Sequence, residues 1–524
     1  MITFFSACKQ RTNANKAFAY PISQDPECLD PQIASTDAAL TIINNCMEGL
    51  FRLDSDGNII NGIAESYSVS EDKLTYTFKL RQNAQWYLFD SSKELLGDSF
   101  VNNIDADDFV YALRRTVLKQ TNCPTHESFF VIKNAKAIFN EQADETTLGV
   151  VAVDKYTLQI TLEYPDSSFL ELLTTAPAMP CNEEFFLATK GKYGLNIDNF
   201  LCNGQFYTSK WNEDASFLIK KNPEYNGEFS AIPSSVNFYI NSNTDDIAEN
   251  IKNSDYDAGI LTSTSAQALI KHEKFKYKQL ENTVWGLCFN TDSQYLSNTN
   301  LRLALAVATF ASDIKSSFPN TATGIIPDMC KVELQNYREN ALPLAALSDN
   351  AAKAQEYWSK ATDELGTKTI TLTLSCPSEY ETNMRTLLQS WQKYFGLSIS
   401  AKIKLVESSK VTSTLRNGSF DIMFAPMTAE NSDTVNFLKS VEPSIHLSSN
   451  EFENILTQLK NAKSSADKFS LCNQAENFLI QNALFIPLAF ENTYFIQAEN
   501  VSDIYLYSIN SIPCFIQAKR EGRK

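Results

Sequence analysis

Two hydrophobic periods take turns along this chain, and that alternation most restricts what it can fold into. Leu74, Tyr76, Phe78 and Leu80 alternate with Thr75, Thr77, Lys79 and Arg81, a period of two that predicts a half-buried strand. Leu158, Ile160, Leu162 and Tyr164 repeat it. Elsewhere apolar residues recur every three or four positions. Ala39, Ile42, Ile43, Cys46 and Leu50 mark a helix opened by Thr36 or Asp37. Asp105, with Asp108 three residues on, predicts a capped helix start, and Phe109, Ala112 and Leu113 share one face of the helix that follows. Met384, Leu387, Leu388, Trp391, Tyr394 and Phe395 trace another helix that Gly396 stops. Phe469, Cys472, Ala475 and Leu479 trace one more before Pro487. Strands alternating with helices predict α/β lobes, and each stripe is core before it is anything else.

With 524 residues the chain exceeds what one hydrophobic core holds, so roughly two to four domains are expected. No apolar run approaches the ~18 residues that span a bilayer. The best, Leu303 to Ala311, is flanked by Arg302 and Asp313. A formal net charge of −17 repels phosphate backbones, so no nucleic-acid partner is expected. The charge reads first as a solvated acidic surface, and only secondarily as a preference for cationic ligands.

Eleven cysteines and three histidines include no C-x-x-C. His126 and His272 each precede a Glu, but neither has a second His at the zincin spacing. The chain has no G-x-S-x-G and no G-x-x-x-x-G-K-[ST]. These absences remove the common enzyme motifs, and neither a metal nor a cofactor is expected. Asp54-Ser55-Asp56-Gly57-Asn58 has a calcium-loop flavour, but its Gly comes too early for an EF-hand and the segment reads as a turn. Phe5-Ser6-Ala7-Cys8 resembles the end of a bacterial lipoprotein signal, in which the Cys carries lipid. The stretch before it is short and lacks positive charge, so a truncated start is the expectation, and Lys9 to Lys16 reads as a tether.

A series of short motifs follows in order. It opens with Pro26-Glu27-Cys28-Leu29-Asp30-Pro31, Glu48-Gly49-Leu50, Ala64-Glu65-Ser66-Tyr67, and Thr75 to Arg81. Trp86, Ala106-Asp107-Asp108-Phe109-Val110-Tyr111, Leu148-Gly149-Val150 and Thr157 to Leu162 come next. Asn203-Gly204-Gln205-Phe206, Phe289-Asn290, Leu301 to Ala306, Ala322 to Pro327, and Ala475-Glu476 with Ile486-Pro487-Leu488 complete it. Together they resemble the family-5 extracellular solute-binding proteins of ABC transporters, the oligopeptide and dipeptide binders, over nearly the whole chain.

The resemblance implies an α/β, two-lobed periplasmic-binding-protein-like fold of type II, with an extra domain inserted in lobe I. Residues 1–17 would be signal remnant and tether. Lobe I would comprise 18–49, 166–282 and 492–524, the inserted domain 50–165, and lobe II 283–491. The implied activity is capture of short peptides in a closing interlobe cleft and delivery to the permease subunits of an ABC importer, without catalysis. The protein is expected as a monomer at the extracellular face of the membrane, held by lipid on Cys8, or in the periplasm. The same fold also binds nickel complexes, haem or oligosaccharides, or serves as a peptide-signal receptor.

Peptide-binding members place an acidic residue against the ligand's amino group. Ungapped alignment from Phe420-Asp421-Ile422 to Phe437-Leu438 puts Glu430, after Ala429, at that position. Met427 stands where the family often has Trp, and Pro426 replaces a small residue and removes one backbone donor. Gln205 replaces a usual Pro, and Thr434 follows Asp433 where Pro is usual. Ser35, Thr36 and Asp37 are further ligand candidates, with helix capping as the plainer role. Trp285, at the crossing into lobe II, and Phe490, at the return crossing, are candidates whose plainer role is core packing. Cys181 and Cys202 are the suggested disulfide pair.

Overall fold

The segments of period two form strands whose apolar faces are covered. The computed structural model describes residues 16–521 except 98, 311, 319, 333–334, 342–350, 408–409, 430–433, 445–448, 463, 492 and 508–511. Two compact units divide the chain: residues up to Lys278 together with those from Tyr494 onward, and Gln279–Thr493.

In the first unit, β1 (Phe18–Ile22) is followed by α1 (Asp37–Cys46), then by β2 (Ala64–Val69) and β3 (Thr75–Leu80). Helix α2 (Ala106–Val117) and strands β4 (Val150–Asp154) and β5 (Thr157–Thr161) come next. Strands β2-β3-β5-β4 form an antiparallel sheet. Phe78 sits opposite Leu158 and Tyr76 opposite Ile160, so the period-two residues of both strands face one core. Helix α2 begins as its sequence predicts. The Asp105 side chain accepts from the Asp107 amide at 3.1 Å, and Asp108 accepts from the Asp105 amide at 3.1 Å. Asp108 is also buried, taking bonds from Trp86 Nε1 at 3.3 Å and Asn182 Nδ2 at 3.0 Å. Burial, reinforced by the charge of Asp105, pushes its carboxyl up to about 7. The Asp54–Asn58 segment is a turn: Asp54 Oδ1 accepts the amides of Asp56 and Asn58 at 2.9 Å each.

A second sheet of this unit has the order β1-β8-β7-β6, from β6 (Phe206–Asn212), β7 (Ser216–Lys221) and β8 (Ser235–Ile240). Strands β1 and β8 run parallel and the other pairs antiparallel. Strands β9 (Ala258–Thr262) and β10 (Lys276–Leu280) then lead the chain out.

The second unit is built on β11 (Thr283–Phe289), β12 (Ile370–Pro377), β13 (Ile399–Val406), β14 (Ile422–Thr428) and β15 (Phe485–Phe490). Their order is β13-β12-β14-β11-β15. Strand β12 is parallel to β13 and β14, while β11 is antiparallel to β14 and β15. Alternate residues enter separate cores. Leu287, Phe289, Ile422 and Phe424 meet α3 (Thr299–Phe310), α4 (Ala351–Leu365) and α5 (Glu381–Phe395) on one face. Val284, Cys288, Met423 and Met427 meet α6 (Ser465–Gln481) and neighbouring helices on the other. Trp391 of α5 is fully buried, its indole donating to Thr309 Oγ1 at 2.9 Å, and Gly396 ends the helix at φ 64°. The chain returns on β16 (Thr493–Gln497), which lies between β9 and β10 in one three-stranded sheet.

Buried acid–arginine ties anchor the motif residues Asp30, Glu48 and Glu476. Asp30 holds Arg115 at 2.5 Å, and Arg115 also donates to Gln32 Oε1 at 2.5 Å. Glu48 accepts from Arg81 at 2.6 Å and Tyr225 at 2.7 Å, while Asn203 brackets its backbone at 2.9 and 2.8 Å. Glu476 takes Arg338 at 2.6 Å, the amides of Ile325 and Ile326 at 2.6 and 3.0 Å, and the Tyr337 hydroxyl at 3.0 Å. Gly324 leaves room for that last knot, since a Cβ there would sit 2.3 Å from the Arg338 guanidinium and 2.4 Å from Glu476. A carboxylate buried this deeply is tolerable only when its charge is matched and its lone pairs filled.

Candidate functional site

In sheets with parallel strands, ligands collect beyond the carboxyl ends, where loops converge and main-chain groups remain available. In the second unit that edge comprises the ends of β12 and β14 and the start of β11, because Thr283 pairs with Thr428 across the ladder. Trp285 lies here, opposite Pro426 on β14 and Ala489 on β15. Its indole is half-buried, stacks on Phe424 at 5.2 Å between ring centroids, and meets Tyr380 at 4.7 Å. Phe318 stacks on the same Phe424 at 5.5 Å. The indole N–H donates to Glu491 Oε2 at 2.9 Å. Burial, with added push from the charges of Glu491 and Glu379, raises the Tyr380 hydroxyl above the usual phenol range, so it stays a neutral donor.

The chain crossing beside this shelf is clamped by main-chain bonds from separate segments. The Met329 amide donates to Glu281 O at 3.2 Å, Ala429 to Asn282 O at 2.9 Å, and Glu491 to Thr283 O at 3.0 Å. The hydroxyls of Thr283 and Thr428 meet at 3.0 Å. Burial, then a hydrogen bond and like charge from Asp328, pushes Glu281 up to about 7, against the Gln279 amide that donates to it. Aromatic faces and a partly open carboxylate can take an apolar or cationic group of a ligand together with its backbone.

Trp285, Met427, Ala429 and Phe490 all lie on this edge. Trp285 shows a half-buried face, whereas Met427 and Phe490 are buried in the core under the opposite face of the sheet. Ala429 is buried and tied through its amide. Glu430 and Cys8 lie outside the described residues. In the first unit, Thr36 caps α1, accepting from Ala39 N at 3.2 Å and donating to Pro26 O at 3.4 Å. Ser35 and Asp37 are exposed beside it. Cys181 does not meet Cys202: its sulfur lies 3.4 Å from Arg115, while Cys202 sits against Cys46 and Thr208. Tyr380, Phe424, Phe318 and Glu491 went unmarked in the sequence. Glu491 directly follows the marked Phe490, and that adjacency was the available signal.

An open depression of about 730 Å³ lies at the other end of the same sheet, lined by Asn290, Thr373, Lys404 and Asp421 among others. Two of its polar side chains, Asn290 and Asp421, are already engaged. Asn290 donates to Phe420 O at 2.9 Å, and Asp421 accepts the Thr373 amide at 2.7 Å and the Ser293 hydroxyl. Size alone does not make it the site.

The model of the bacterial extracellular solute-binding proteins, family 5, middle region, matches residues 58–444. A dipeptide-binding protein of Bacillus subtilis is 24% identical over 517 residues, covering 96% of this chain and 92% of its own. The oligopeptide-binding protein AmiA of Streptococcus pneumoniae is 30% identical over 302 residues, covering 55% of this chain and 44% of its own. Among solved structures, the substrate-binding domain of an oligopeptide ABC transporter from Bacillus anthracis superposes with a TM-score of 0.83 at 22% identity, covering 97% of this chain and 99% of its own.

Proposed function

This chain belongs to the bacterial extracellular solute-binding proteins of family 5, and on that premise we propose that it captures short peptides and delivers them to the permease of an ABC importer. Relatives named for dipeptides and oligopeptides support the choice of ligand. The observation that carries it is the edge of the second unit, where Trp285, Tyr380 and Glu491 stand beside strand ends. A peptide presents a repeating row of N–H and C=O groups, which strand ends can pair whatever the side chains are. Roomy, partly wet pockets then tolerate varied side chains. The ligand leaves unchanged, so no nucleophile or general base is required.

Glu430 is the proposed partner of the ligand's α-ammonium, a charge-assisted bond worth about 1.5–3 kcal/mol. Ser35 and Asp37 are proposed as contacts from the first unit. Residues 50–165 are proposed as the domain inserted in lobe I, and Cys8 as the lipid attachment that keeps the protein at the extracellular face of the cell membrane.

Native mass spectrometry of the purified protein, followed by release and sequencing of what co-purifies, tests the reading. A mixture of short peptides is expected. A single non-peptide mass, or a protein that ignores a peptide library, would move the assignment to another solute. Glu430→Gln should weaken free-amine peptides far more than N-acetylated ones, and equal losses would remove its role.

A further inference from the structure

Cys46 ends α1, and Cys202 lies in the segment leading into β6. The Cys46 carbonyl accepts from Asn203 N at 3.2 Å and Gly204 N at 2.8 Å, the two residues that follow Cys202. Gly204 permits this approach, because a Cβ there would sit 2.8 Å from the Cys46 carbonyl carbon and 2.9 Å from its oxygen. Main-chain contact at residues 203 and 204 brings the backbone beside Cys202 against that of Cys46, the close approach that a disulfide, with its Cα separation of roughly 4.4–6.8 Å, requires. Both side chains are fully buried and their thiols lie within hydrogen-bonding reach of each other.

We propose that Cys46 and Cys202 form a disulfide site, oxidised while the first unit folds and sealed once it has folded. The oxidant is a small-molecule disulfide such as oxidised glutathione. One cysteine thiolate attacks it, forming a mixed disulfide and releasing one glutathione thiolate. The second cysteine, losing its proton, attacks the protein sulfur of that mixed disulfide and releases the other. The protein loses two protons and two electrons, and the oxidant gains the electrons as two thiols. After folding, burial and the neighbouring thiol hold a Cys46 left reduced well above the ordinary thiol range, so it offers little thiolate for later oxidation, while a bond already formed is shielded by the same burial from external thiolates. The bond would pin the end of α1, whose start at Asp37 follows Ser35 and the capping Thr36, to the segment entering β6.

The full chain, reduced and unfolded, is refolded in mixed reduced and oxidised glutathione, then denatured with an alkylating agent and digested. A peptide joining residues 46 and 202, lighter than its two parts by two hydrogens, is expected in most molecules. Its melting midpoint should stand roughly 5 °C above that of Cys46→Ser/Cys202→Ser treated alike. Protein purified from an oxidising compartment without refolding should carry the same link. Recovery of both cysteines alkylated from both preparations, or Cys202 joined elsewhere, overturns the proposal.

Discussion

Glu476 and Glu491 belong to the same unit and meet different company. Glu476 is fully buried and receives an arginine, a phenol and two amides from two other segments of chain. Glu491 is half-buried, takes the Trp285 indole proton, and stays partly open to solvent beside Tyr380. The first is saturated, so it can hold a loop but offers a ligand nothing. The second retains capacity, which is what a binding edge needs. The same contrast separates Glu48 and Asp30, each locked to an arginine, from Glu281, which has a like-charged Asp328 beside it and, among the described residues, no arginine.

The largest test of this contrast is Glu476→Ala. It strands a buried guanidinium and two amides, and should cost the second unit about 3–5 kcal/mol in urea unfolding, against under about 1 kcal/mol for Glu491→Gln. Equal losses would break the comparison. Trp285→Ala should weaken peptide binding by about 1–2 kcal/mol in calorimetry, roughly tenfold. A variant that binds as the parent does would return Trp285 to a packing role. In the first unit, Thr36→Ala should cost about 1 kcal/mol of stability through its lost cap, and Ser35→Ala less than about 0.5 kcal/mol. Only the Ser35 change is expected to show in binding without showing in melting.

The smallest effect concerns pH. Glu281 has its folded value raised to about 7 from an ordinary 4.5, so the stability it adds is complete below the ordinary value and is lost as pH rises through the folded one. Glu281→Gln, which mimics the protonated form, should flatten the stability profile across that window. The change should be under about 1 kcal/mol, because the group is only partly buried and solvent screens it. A profile that keeps its slope would assign the titration to another group, with Asp108 the next to replace.

Much of the architecture was legible because its signals are local. The alternation in Thr75 to Leu80, the Asp105–Asp108 capping box, the stripe from Met384 to Phe395 and its Gly396 stop each involve neighbours within a few positions, and each forms as read. The Asp54 turn is as local. The candidate site was legible in part. Trp285 was marked from its place at a crossing, but its partners Tyr380 and Glu491 are distant in sequence and share no period with it. Met427 and Phe490 were marked by position along the chain, and the pleat then turned them to the buried face.

By itself, the sequence determined many of the strands and helices, the family, and the acidic character of the chain. Periodicity, capping chemistry and composition do not depend on what comes to lie beside what. Only the tertiary structure decided which carboxylates are saturated, which face of β14 and β15 a side chain takes, and that Cys202 meets Cys46 rather than Cys181. Those outcomes follow from sheet order and register, and a one-residue shift in pairing exchanges every inward side chain for an outward one.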